Sequence, residues 1–339
     1  MRTHNVRKRK PVIGVTMGEP AGIGPEVVIK SILRPEVRKV CVPVVFGSTK
    51  IIRYAARKFV KKVKVEEIFE LDRIENRPNL IRVFPCYNLD YKGISPGRVT
   101  KTSGHAAAHS VFAAANVALS GDVDAMVTAP LTKKGLALAG YDFKGHTDFL
   151  AFICGVKKYA MIFVGQKLKV VLVTTHIPLS QVSKSITAKK VTEKIDLADQ
   201  MLRRIFSIKK PKIGVCGLNP HAGEEGILGK EEKKVILPAV RSAVKKGIRA
   251  YGPLPSDSIF SPVVVRKFDC IVAMYHDQGI IPFKTQGLGQ AVNLTWGLPF
   301  IRTSPDHGTA FDIAWKGKAD PKGMINAILL AARLSRKKL

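Results

Sequence analysis

Six short runs of apolar, mostly β-branched residues punctuate the chain: VIGVT at 12–16, VPVVF at 42–46, DAMVTA at 124–129, KVVLVTT at 169–175, KIGVCG at 212–217 and DCIVAMY at 269–275. Their apolar positions are continuous rather than alternating, which predicts strands covered on both faces by helices. Between the runs the apolar spacing changes to three and four. HAAAHSVFAAANVAL at 105–119, closed by Gly121, and AKKVTEKIDLADQMLRRIF at 188–206 are predicted helices, and a last helix starts after Pro321 and ends in a basic tail. Strands alternating with helices predict an α/β fold with a mostly parallel sheet. With no internal repeat and no flexible linker, a chain of this pattern that forms two lobes crosses between them more than once.

Ligands of open α/β sheets gather beyond the carboxyl ends of strands. The polar clusters fall there: TTHIP follows the run at 169, LNPHAGEEG the run at 212, and YHDQG the run at 269. His176, His221 and His276 therefore stand at three strand ends, with carboxylates and glycines beside them. Such a set suits an open divalent-metal site, and a loop or packing role for each imidazole is the alternative. His105 and His109 share one helix face but lack the glutamate of a zinc-protease helix and sit among alanines, so packing or solvation accounts for them.

Four further stretches carry polar chemistry. GVTMGEPAGIGPE at 14–26 fits neither common nucleotide-binding glycine pattern and predicts a tight strand-to-helix turn opening a helix at Pro25. In FKGHTDFLA, His146 and Thr147 stand where a helix starts, Thr147 either as a plain N-cap or, with His146, as part of an anion site. Lys284, Asn293 and Arg302 close the short segments PFK, AVN and FIR. Singly they are ordinary surface residues; together they suit a phosphate or carboxylate. SPDHGTAFDIAWKGKADP at 304–321 has too many Gly, Asp and Thr residues for core and predicts a functional loop.

Charge changes this picture less than its size suggests. With 56 basic against 26 acidic residues, a net +30, the chain could be read as a nucleic-acid binder. The basic residues instead lie in short clusters at predicted helix ends and turns (RKFVKKVK, RRIFSIKKPK, RSAVKKG, RLSRKK), without an RNA-binding signature, a zinc finger or interleaved aromatics. A solvated basic surface that steers an anionic, phosphorylated substrate is the better reading, with RNA binding kept as a second activity. Five scattered cysteines without a C-x-x-C pair argue against a disulfide framework or structural zinc and fit a reducing cytoplasm. The basic head is followed by an apolar run that Glu19 and Pro20 break, too short for a signal peptide, and no stretch is apolar enough for a membrane span.

In their order, TMGEPAGIGPE, GHTDFLA, TTHIPL, LNPHAGE, MYHDQGIIPFK, VNLTWGLPFIRTS and DHGTAFDIA resemble the blocks of the 4-hydroxythreonine-4-phosphate dehydrogenase (PdxA) family of vitamin B6 synthesis, over about residues 11 to 325. The resemblance implies a two-lobed, three-layer α/β/α fold of the isocitrate/isopropylmalate dehydrogenase type with its active site in the interlobe cleft. Residues 1–135 with 285–339 would form the cofactor-side lobe and 136–284 the metal, substrate and dimerisation lobe. It implies NAD- or NADP-dependent oxidation of 4-phosphohydroxy-L-threonine with loss of carbon dioxide. It further implies a homodimer in which His176, His221 and His276 bind zinc, magnesium or cobalt, shared between subunits, while His146, Thr147, Lys284, Asn293 and Arg302 bind substrate. Lys284 is also a candidate for proton transfer, and Asp277, on our own reading, for support of the metal ligands or proton handling.

The loop from Asp306 also resembles the adenosine-binding loop of isocitrate and isopropylmalate dehydrogenases, which bind their dinucleotide without a Rossmann fingerprint. Asp306, His307, Gly308, Thr309, Ala310 and Asp312 are thus the cofactor candidates. Trp315 stands where a glycine is usual, so its indole either caps the adenine or reshapes the loop. Two alternatives stand beside it: a sister dehydrogenase acting on 4-phospho-D-threonate or 4-phospho-D-erythronate, with nearly identical motifs, and phosphate acetyltransferases, which share the broader fold but have no need of three histidines at strand ends.

Overall fold

A computed structural model describes residues 9–60, 62–72, 74–165, 168–286 and 291–336 of the chain. The first eight residues of the basic head and the last three of the basic tail lie outside them. Twelve strands run through the described residues: β1 (Val12–Thr16), β2 (Val42–Gly47), β3 (Lys64–Glu67), β4 (Leu80–Pro85), β5 (Ala125–Thr128), β6 (Ala160–Val164), β7 (Lys169–Leu172), β8 (Lys212–Cys216), β9 (Arg249–Leu254), β10 (Cys270–Ala273), β11 (Val292–Trp296) and β12 (Arg302–Pro305). All six apolar runs appear among them. Two of the six additional strands were hidden by composition: β3 is KVEE, a charged and mostly exposed edge strand, and β12 is RTSP, with no apolar run at all, whereas β4 (LIRVFP) and β6 (AMIFV) are apolar runs like the first six.

Two compact units divide the chain, one reaching to Cys154 and resuming at Phe300, the other Gly155–Pro299. Both junctions fall later than the expected 135/136 and 284/285. The helix His146–Ile153 accounts for the first shift, because it packs on the helix Lys101–Ser120 of the first unit.

In the first unit the strand order is β3-β4-β2-β1-β5-β12, and every pairing is parallel. β1, β2 and β5 are buried at every position, as their unbroken apolar runs require when helices cover both faces. The helix Lys101–Ser120 starts earlier than its periodicity suggested because Thr100 and Ser103 cap it reciprocally: Ser103 N donates to Thr100 Oγ1 at 3.2 Å and Thr100 N to Ser103 Oγ at 3.0 Å. Its alanine face, including Ala107, Ala114 and Ala118, lets it lie close on β1 and β2.

In the second unit the order is β11-β6-β7-β10-β8-β9, antiparallel at β11/β6 and β6/β7 and parallel from β7 onward. The run CIVAMY leads into a helix, His276–Gln286. Ile280 and Phe283 of that helix join Val170, Leu172 and Ile271 in the core, which leaves His276, Asp277 and Lys284 at the surface. His276 and Lys284 are thus on one helix, their Cα atoms about 12 Å apart along its axis.

All five cysteines are free thiols, and no described helix is long and apolar enough to cross a membrane.

Candidate functional site

Arg302 opens β12, whose parallel pairing with β5 sets Arg302 opposite Met126 and carries its side chain inward. It is no surface residue: at 2% exposure it is among the largest fully buried side chains. Its Nη2 donates to Thr128 Oγ1 at 2.5 Å, and burial lowers its pKa to about 9, which leaves it charged at neutral pH. His146 is the first residue of its helix, behind a Gly145 N-cap at φ 144°, so Thr147 is not the cap. The residue keeps some exposed surface, but its Nε2 is buried and has no hydrogen-bond partner. Burial first, and the charge of Arg302 second, push the imidazole pKa well below its usual 6.5. A buried guanidinium, a neutral imidazole with an open ring nitrogen and the N–H groups of a helix terminus form an anion-binding arrangement.

The glycine-rich turn after β1 receives a neighbouring loop. Ile23 N donates to Thr309 O at 3.0 Å, and a Cβ on Gly22 would stand 2.8 Å from that same carbonyl, so only glycine admits the loop. Trp315 Nε1 donates to Pro20 O at 2.8 Å, and its ring is 4% exposed among Tyr54, Phe59 and Tyr91. Trp315 therefore pins the loop from inside, which favours a reshaped loop over an adenine cap. Within the loop Ala310 is left-handed at φ 39°, Gly308 and Asp312 are exposed, Thr309 is buried, and Asp306 is half-buried. His307 places Nδ1 3.1 Å from Gly308 O and buries an unpartnered Nε2 near Gly323.

Glu19, in the same turn, is fully buried. Burial raises its pKa, against hydrogen bonds from the Ser103 side chain and Ala21 N. The sequence reading passed over it because a carboxylate between two turn residues looks like a loop residue.

In the second unit the exits of β7, β8 and β10 carry His176, His221 and His276. Polar ties join all three exits. Thr174 Oγ1 donates to Met274 O at 2.7 Å, linking the first and third. Gln278, which is buried, accepts from Met274 N at 2.6 Å and donates to Gly217 O at 2.7 Å and Ser256 Oγ at 2.8 Å, linking the third and second. Ser183 Oγ donates to Glu231 Oε1 at 2.6 Å, and Asn219 Nδ2 donates to Glu231 Oε2 at 2.9 Å, linking the first and second.

The His176 and His276 rings lie 5.9 Å apart between centroids. Asp277 Oδ1 stands 2.7 Å from His276 Nδ1, the pairing that fixes a ligating imidazole and leaves its Nε2 outward. His221 stands on an unusual turn: His221 to Glu225 all have positive φ, 52°, 56°, 81°, 41° and 56°. For the four non-glycine residues this geometry costs on the order of 4–8 kcal/mol, strain of a kind that concentrates at functional sites. No three His, Cys, Asp or Glu side chains among the described residues of the chain form a complete metal cage. Of the three imidazoles the structure brings His176 and His276 together, and His276, oriented by a carboxylate, has donor chemistry that suits a cation. His105 and His109, by contrast, pack near Tyr141 and Tyr87.

Asn293 lies on β11 opposite Phe163, with a buried Oδ1 that lacks a partner, and Lys284 is exposed on its helix.

Comparison with known proteins agrees with the motif order. The family model described as pyridoxal phosphate biosynthetic protein PdxA matches residues 39–331. A 4-hydroxythreonine-4-phosphate dehydrogenase of Desulforapulum autotrophicum is 41% identical over 323 residues, 95% of each chain. A D-threonate 4-phosphate dehydrogenase of Salmonella typhimurium is 41% identical, covering 95% of this chain and 98% of its own. The crystal structure of 4-hydroxythreonine-4-phosphate dehydrogenase from Klebsiella pneumoniae superposes with a TM-score of 0.89 at 41% identity, covering 96% of this chain and 98% of that one.

Proposed function

Because the chain belongs to the PdxA family, we propose that it is an NAD- or NADP-dependent dehydrogenase that oxidises 4-phosphohydroxy-L-threonine to 2-amino-3-oxo-4-phosphooxybutanoate, which loses carbon dioxide to give 3-amino-2-oxopropyl phosphate. The observation that carries the reading is the buried Arg302 beside the His146 imidazole, whose Nε2 is buried, at a helix N-terminus, an arrangement suited to the substrate's phosphate or carboxylate. Relatives named for D-threonate 4-phosphate match equally well, so oxidation of 4-phospho-D-threonate or 4-phospho-D-erythronate is the second reading.

A divalent cation held by His176, His221 and His276 would supply charge stabilisation at the substrate oxygen, and a nicotinamide held at Asp306–Asp312 would take the hydride. The protein's residues do the rest. Arg302, His146 and Thr147 bind the anionic end of the substrate, with Asn293 and Lys284 as further ligands. Lys284 or Asp277 receives the hydroxyl proton as the C3–H bond breaks. The ketone so formed lies beta to the carboxylate, so the C1–C2 bond breaks next and the resulting enol takes a proton at carbon. Leu179, Ile227 and Ile281 are exposed large apolar residues within a few positions of the three histidines, which favours a homodimer that covers this surface and shares the ligands.

Absorbance at 340 nm, with NAD or NADP and each substrate in turn, before and after chelation and metal add-back, tests the reading. Metal-dependent reduction with the L-threonine compound is the expected result. Preference for the D-threonate compound selects the second reading, and no reduction by folded, metal-loaded protein rejects both.

A further inference from the structure

Glu231 and Glu232 are conspicuous in a chain with only 26 acidic residues, and the reaction as described uses neither. Glu232 is 3% exposed and begins a π-helical turn, Glu232–Ile236, ahead of the helix Leu237–Lys245. Such wide turns recur at functional sites because they redirect side chains that a regular helix would space evenly. Here the redirected group is a carboxylate. Its Oε1 accepts from Leu218 N and Asn219 N, both at 2.7 Å, and its Oε2 accepts from Asn219 Nδ2 at 3.0 Å. A Cβ on Gly223 would stand 2.6 Å from Oε2, so the carboxylate also closes over the middle of the left-handed turn.

We infer that Glu232 is the positioning residue for His221: its buried carboxylate fixes the chain entering the left-handed turn and packs against the turn's centre, so that the imidazole is held where the cation is to be bound. The inference rests on the proposed role of His221 as a metal ligand. Without the carboxylate, two N–H groups at the entry lose their acceptor and the strained turn relaxes toward ordinary backbone, which swings His221 away. Glu231 acts beside it, tying Asn219 to Ser183 on the segment that follows His176.

The test is a cobalt(II) titration of the full-length, metal-stripped protein, followed by the visible d–d absorption band, for wild type, His221→Ala, Glu232→Ala, Glu232→Gln and the His221→Ala/Glu232→Ala double variant. Glu232→Ala should weaken cobalt binding about 10- to 100-fold and alter the band. Glu232→Gln, which keeps an oxygen for Leu218 N and Asn219 N, should recover most of the affinity. The double variant should bind no more weakly than His221→Ala alone, since Glu232 acts through His221. Should Glu232→Ala not fold, Glu232→Gln and Asn219→Ala carry the comparison, each weakening cobalt binding by less than His221→Ala.

Wild-type cobalt affinity in folded Glu232→Ala, or in Asn219→Ala where Glu232→Ala does not fold, alongside a weakened His221→Ala, or additive losses in the double variant, overturns the inference alone. Wild-type affinity in His221→Ala overturns the metal reading and the inference with it. A merely structural Glu232 would lower the urea stability of the metal-free protein without moving the affinity or band of its folded fraction.

Discussion

Replacing His146 with asparagine should change how the protein's stability depends on pH. Burial, and secondarily the charge of Arg302, hold the imidazole pKa well below 6.5 in the folded chain. On acidification the unfolded chain therefore takes up this proton before the native state does. Stability rises with pH wherever the unfolded state binds more protons, so this contribution is whole above pH 6.5 and is lost as the pH falls from 6.5 toward the folded pKa. One proton of difference amounts to at most about 1.4 kcal/mol per pH unit. Urea unfolding at pH 6.5 and 5.5 should thus show the wild type losing up to about 1.4 kcal/mol more than His146→Asn, with the carboxylate background common to both.

The two causes can be separated. Arg302→Met removes the neighbouring charge but leaves the burial, so it should raise the His146 pKa only part of the way toward 6.5, which a proton NMR titration of the imidazole reads directly. A bound phosphate should raise it too, because an anion favours the imidazolium. Identical pH slopes in wild type and His146→Asn, or an imidazole that titrates at 6.5 or above in the ligand-free protein, would refute the electrostatic description of this pocket.

Three other outcomes follow from the same geometry. Arg302→Ala should raise KM about 10- to 150-fold, the loss of charge-assisted hydrogen bonds of about 1.5–3 kcal/mol, with kcat nearly unchanged; a large fall in kcat at constant KM would place Arg302 in the transition state instead. Gln278→Leu leaves Met274 N–H and Gly217 C=O buried without their side-chain partner and should cost about 2–4 kcal/mol in urea unfolding, whereas a loss under about 1 kcal/mol would mean that water or repacking replaces the amide. Trp315→Phe removes the bond to Pro20 O and should lower stability by about 1 kcal/mol while barely moving the dinucleotide KM; unchanged stability with a raised dinucleotide KM would restore the adenine-capping role.

Much of the first unit and half the strands could be read in one dimension. VIGVT, VPVVF and CIVAMY are continuous apolar runs, and a strand buried on both faces needs no information beyond its own composition. The three histidines were equally visible, because a strand's carboxyl end is a local address and α/β sheets bind ligands there. The anion site was visible only as candidates. Nothing in FIR distinguishes a buried arginine from an exposed one, and β12, with its RTSP sequence, carries no strand signal.

What made Arg302 a buried cation is its pairing beside Thr128, which is 174 residues away. Gln278 likewise acquired its role from Gly217, 61 residues away, and Trp315 from Pro20, 295 residues away. By itself the sequence determined the α/β class, the placement of its clearest strands and helices, and the residue types at the strand exits, since these depend on periodicity and on the chemistry of neighbours in the chain. Tertiary structure alone decided which of those groups are buried, which are charged and which are held in strain. Desolvation and hydrogen-bond partners come from segments that only folding brings together.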